Sequence, residues 1–99
     1  MKAVRIAPKE DLPDEYELGN YWLSKDENTL FVVLPNRREI VSLPLNNKGE
    51  YAKEVAGRWH FDSNTITVTP SIHRQRTFKD GRRETLWHGF LTNGVFKSV

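Results

Sequence analysis

The 99-residue chain contains no cysteine. That absence removes disulfides, thiolate nucleophiles and cysteine-based zinc centres together. It suits a reducing compartment. No apolar run approaches the roughly 18 residues that a membrane helix needs. The first residues, "MKAVRIAPKED", lack the apolar core and cleavage pattern of a secretory signal. There is no G-x-G-x-x-G, no P-loop and no G-x-S-x-G, so the usual phosphate cradles and the nucleophile elbow are missing. A large charge of either sign is missing too, since the formal net charge is +2.

What is present describes a small β protein. Three Trp, three Tyr and five Phe are spread along the chain, which argues against disorder. The length predicts one domain over residues 1–99. Short β-branched and aromatic runs alternate with turn residues about every ten positions, as in sandwiches and rolls. Strands are predicted at Val4–Ala7, Tyr21–Ser24, Thr29–Leu34 and Glu39–Leu45, then around Trp59 and Phe61. Thr65–Thr69 alternates strictly, with Ile66 and Val68 on one face. Ser71–Phe78 and Glu84–Thr92 flank Asp80-Gly81, and Asn93-Gly94 joins Trp87–Thr92 to Val95–Val99. Both dipeptides favour tight hairpins. Glu50–Ala56 is the one helix candidate. The fold class is therefore all-β: a single small antiparallel sandwich or roll of about eight short strands, with at most one short helix. Trp59, Phe61, Ile66, Val68, Leu86, Phe90 and Leu91 are its predicted core. On that reading, Phe90→Ala removes a core ring and costs about 3–5 kcal/mol.

Two Trp-His pairs, Trp59-His60 and Trp87-His88, invite a chemical reading. A zinc site needs three or four converging ligands. His60, His73 and His88 are the only histidines, they fall on three predicted strands, and no local ligand spacing joins them. No metal and no cofactor is expected. A Ser-His-Asp set can be written from Ser71, His88 and Asp62, but chains of this size commonly offer one, and triads are recognised by geometry alone. Packing accounts for more. Leu86 and Phe90 flank His88 on one strand face, and Trp87 and Leu91 flank Gly89 on the other. The strand is expected to be buried on both faces, with His88 a hydrogen-bonded core residue and Gly89 a place where a ring packs over bare backbone.

Trp59-His60-Phe61-Asp62, Thr65–Ile72 and Trp87–Phe96 resemble a small domain of unknown function carried by phages and prophages, sometimes mislabelled ammonia monooxygenase. The likeness covers residues 57–97 and is most specific at Pro70-Ser71-Ile72 and His88-Gly89-Phe90. Many members carry an upstream C-P-x-C segment and a Cys-His pair, which imply zinc. Here "VLPNRRE" (Val33–Glu39) keeps the proline without cysteine, and Trp87 stands where the family often has cysteine. The resemblance thus implies packing in place of ligands, and a viral or prophage setting.

Charge is unevenly placed. Residues 1–50 hold 7 Lys/Arg and 9 Asp/Glu, a net of −2; residues 51–99 hold 8 and 4, a net of +4. The acids gather at Glu10, Asp11, Asp14, Glu15 and Glu17. The bases gather at Arg74, Arg76, Lys79, Arg82 and Arg83, which form the candidate partner-binding set. The expected function is a non-enzymatic phage or prophage accessory protein that binds a host protein in the host cytoplasm, as an inhibitor of antiviral defence. One alternative is a nucleic-acid-binding module using the hairpin of residues 72–85, though a dedicated binder carries more excess charge. Another is a nucleotide-like small-ligand binder. No membrane partner is expected.

Overall fold

The computed structural model describes residues 1–7, 16–46 and 57–99. Within them the strongest turn signals become tight turns. Asn93 and Gly94 adopt φ of 48° and 76°, the left-handed backbone that a two-residue hairpin requires. They join β7 (Arg83–Thr92) to β8 (Val95–Ser98). The Asp80-Gly81 turn connects β6 (Thr67–Thr77) to β7. There the Phe78 N–H donates to the Arg82 carbonyl at 2.8 Å, and Gly81 takes a φ of 89°. The remaining strands are β1 (Val4–Arg5), β2 (Asn20–Leu23), β3 (Thr29–Val33), β4 (Ile40–Pro44) and β5 (His60–Asp62).

The eight strands form two four-stranded sheets, β1-β2-β3-β4 and β5-β6-β7-β8. All pairs are antiparallel except β1 with β2, which run parallel. Backbone bridges stitch the sheets along both edges. Lys2 pairs with Val95 of β8, and Leu45, just past β4, pairs with Trp59 just before β5. Capping both edges this way leaves little unpaired backbone for aggregation.

The alternation of each strand builds the core. Leu30, Val32 and Leu43 of the first sheet face Phe61, Val68, Ile72, Trp87, Leu91 and Phe96 of the second, all within one buried cluster. Tyr21 and Phe61 meet edge-on across the sheets at 5.9 Å, and Trp87 meets Phe96 at 6.0 Å. Such edge-to-face pairs add to the area they bury.

Four expectations are corrected by the structure. Strand β7 is buried on one face only. Trp87, Gly89 and Leu91 point inward, whereas Leu86 and His88 are half-buried and Phe90 is 47% exposed. Phe90 is therefore not core, and His88 is not a core histidine. The outer face reads as apolar in the sequence, but nothing among the described residues covers Phe90. Phe90→Ala should then cost about 1 kcal/mol rather than the 3–5 expected of a buried ring. A urea titration measures this, and a loss above about 3 kcal/mol would return Phe90 to the core. Ile66 is likewise not a strand residue: it sits in the turn before β6 at φ 57° and accepts a hydrogen bond from the Gly94 N–H at 2.9 Å. That backbone contact overrides the Thr65–Thr69 alternation. The helix candidate Glu50–Ala56 lies outside the described residues.

Candidate active site

Strand β6 carries Ser71 and His73 on its outer face, and β7 carries His88 on the same side. The register places His73 directly opposite His88. Ser71 is then the diagonal neighbour of His88, within reach on a pleated sheet. Its Oγ lies 3.1 Å from His88 Nε2. The His73 ring stacks on the His88 ring with centroids 4.3 Å apart and planes 19° from parallel. His73 is itself held by a 2.9 Å contact between its Nε2 and Thr85 Oγ1. Ser71 and His88 are both half-buried, so they are supported by the sheet and still open to solvent.

The backbone around Ser71 is locally irregular. The pairing of β6 with β7 shifts between Val68 and Ile72, so Thr69, Pro70 and Ser71 lie opposite the single residue Phe90. Pro70 has no N–H to give to the ladder, and bulges are where a sheet accommodates that. Bulges also re-aim side chains next to active sites. The Ser71 carbonyl is fixed from the neighbouring strand's leading edge, where the Trp59 indole N–H donates to it at 3.2 Å. The two Trp-His pairs thus have different jobs. Trp59 holds the serine's backbone. Trp87 fills the core beneath His88, with its ring lying 2.6 Å from where a side chain on Gly89 would begin.

A serine hydroxyl within hydrogen-bond reach of an imidazole is the arrangement of an activated nucleophile. A family model described as bacterial ubiquitination-like system serine protease (BubE) matches residues 8–99. The chain belongs to the BubE family. No curated protein and no solved structure matches it.

Membership in the BubE family overturns several expectations. The resemblance to a phage-borne domain is incorrect: it rested on short motifs within residues 57–97, whereas the BubE match takes in residues 8–99. The non-enzymatic reading, the phage setting and the anti-defence role go with it, because the family is named as a serine protease. The physical reason for the error is visible at His88. Its flanking residues, Leu86 and Phe90, suggested a buried face, and that face is open.

Of the Ser71, His88 and Asp62 set, the fold brings two together. Asp62 lies opposite Thr67 at the far end of β5, and its carboxylate accepts the Asn64 N–H at 2.9 Å within the turn. Among the described residues no carboxylate bonds to His88; its neighbours are Ser71 and His73. His60 sits opposite Thr69 on β5. Among the described residues no three His, Asp or Glu side chains are placed to hold a metal ion, and no helix is long and apolar enough to cross a membrane.

The basic set lies along and beyond the same hairpin but is partly neutralised. Arg74 donates from Nε and Nη2 to Glu39 Oε1 at 3.1 and 3.0 Å, linking the two sheets. The other Glu39 oxygen lies 3.4 Å from Arg37 Nε, close but without hydrogen-bond alignment. Arg82 pairs with Asp80 at 2.7 Å and covers the Phe78 ring. Arg76 lies opposite Glu84, and Lys79 and Arg83 are exposed near the tip. Glu17 is the one described member of the acidic group; the others fall outside the described residues. Arg74→Ser should cost about 0.5–1 kcal/mol, because its pair is charge-assisted but part-exposed, while Arg82→Ser should stay within about 0.5. Thermal melts of the two variants read the difference, and equal melting temperatures would show that the inter-sheet pair contributes nothing.

Proposed function

We infer that this protein is a serine protease in which Ser71 is the nucleophile and His88 the general base. The single observation that supports this best is the 3.1 Å approach of Ser71 Oγ to His88 Nε2 on an open sheet face. With the ring proton on Nδ1, Nε2 accepts the hydroxyl proton as Oγ attacks a scissile carbonyl carbon. The new C–O bond forms as the carbonyl π pair moves to oxygen. Collapse of that tetrahedral species breaks the C–N bond, and His88 returns its proton to the departing amine. Water then repeats the sequence on the acyl-serine, with His88 again taking and returning a proton. Trp59 keeps Ser71 at the bulge, and the His73 ring limits rotation of the His88 ring.

The family is described as a serine protease of a bacterial ubiquitination-like system, which favours a protein of such a system as the substrate. Incubation of the protein with the components of such a system, followed by mass spectrometry for a new chain terminus, tests the reading. Cleavage that depends on Ser71 is expected. Intact components after prolonged incubation at equimolar enzyme would count against it.

A further inference from the structure

Phe90 is a large aromatic ring, 47% exposed, on the face that carries Ser71 and His88. It is the sole β7 residue opposite the Thr69–Ser71 bulge, so it is the cross-strand neighbour of the nucleophile. On its other side it pairs with Lys97 of β8. Phe90, Thr92, Asn93, Val95 and Lys97 line a depression of about 470 Å³. Val95 is itself 37% exposed, and Lys97 has no acidic partner among the described residues. Across the outer face the order is therefore nucleophile, exposed ring, unpaired cation.

We propose that this depression is the acyl-side substrate subsite, in which Phe90 and Val95 receive an apolar side chain of the substrate and Lys97 favours a neighbouring acidic group. This rests on the Ser71–His88 reading. The direction follows from the chemistry. His88 must protonate the leaving amine, so the leaving side of the substrate lies toward His88. The acyl side then lies away from it, toward Phe90, Thr92 and Val95. An exposed Phe and Val on a small protein cost solubility unless something uses them, and apolar surface next to a nucleophile is where binding selects a substrate.

The test is the rate at which Ser71 is phosphonylated by three fluorophosphonates that carry an alkyl, a polyethylene-glycol or a carboxylate-tipped alkyl chain. The parent should react roughly tenfold faster with the alkyl than with the polyethylene-glycol reagent, the low end for a hydrophobic contact because the platform is half-open. Phe90→Ser should bring that ratio close to one. Lys97→Glu should slow the carboxylate reagent severalfold relative to the plain alkyl one. Equal rates for all three reagents in the parent, or an alkyl preference kept in Phe90→Ser, would overturn the subsite while leaving the Ser71–His88 pair standing. A parent that no reagent labels at Ser71 would remove the pair and the subsite together. Sedimentation read alongside gives the other occupant: if Phe90→Ser turns a dimer into a monomer with selectivity unchanged, the patch serves self-association instead.

Discussion

Ser71→Ala should lower kcat by about 10⁴-fold or more, and His88→Ala should do much the same. The two losses should not add. Nucleophile and base act on one proton in one step, so the double variant should be about as slow as either single one. Stability separates this from a structural role. Among the described residues the Ser71 side chain makes one hydrogen bond, to His88, so Ser71→Ala should cost no more than about 1 kcal/mol. Asp62 provides the internal contrast. A triad aspartate changed to Asn typically costs about 10⁴ in kcat, but Asp62 serves the Asn64 turn instead, so Asp62→Asn should leave the rate near the parent's. A 10⁴-fold loss in Asp62→Asn, measured on the same substrate, would show that a carboxylate reaches His88 after all.

Gly89→Ala should unfold or severely destabilise the protein. A methyl group at this position would sit 2.6 Å from the Trp87 ring and closer still to the Lys97 carbonyl. One of these neighbours is backbone in the adjoining strand, so neither a rotamer change nor a flexible tip relieves the clash. Overpacking usually costs about 1–3 kcal/mol, and this case belongs at or above the upper end because β7 and β8 must part. Such a separation would also move His88, one residue away, and so lower activity in whatever fraction stays folded. Denaturant titration gives the number. A cost below about 1 kcal/mol would mean that the Trp87 ring does not lie over Gly89.

Much of the fold was legible because turns and alternation are local. Asn93-Gly94 and Asp80-Gly81 fixed two hairpins, and the run from Tyr21 to Leu34 marked the β2-β3 pair. The parallel β1-β2 contact was not legible, since two residues that pair with a distant strand leave no periodic signature. The site was half legible. Counting from a two-residue Asp80-Gly81 turn puts residues 73 and 88 opposite one another; the observed turn is one residue longer, with Thr77 opposite Arg83, and the irregularity between Arg74 and Gln75 restores that pairing. The same count puts Ser71 diagonal to His88 on one face. What misled was polarity: Leu86 and Phe90 beside His88 read as core, when Phe90 is exposed. An exposed aromatic next to a serine and a histidine is a functional pattern that hydrophobicity alone assigns to packing. The displacement of Asp62 was legible from the Asp62-Ser63-Asn64 turn, because an antiparallel hairpin there sets Asp62 at its turn end, opposite Thr67 and away from Ser71.

The most direct measurement is intact mass spectrometry after treatment with an alkyl fluorophosphonate, followed by peptide mapping. A single adduct per chain on Ser71 is predicted, absent from Ser71→Ala and formed far more slowly in His88→Ala. An unmodified protein after prolonged exposure, or an adduct on any other hydroxyl, would contradict the assignment of Ser71 and His88 as a nucleophile and its base.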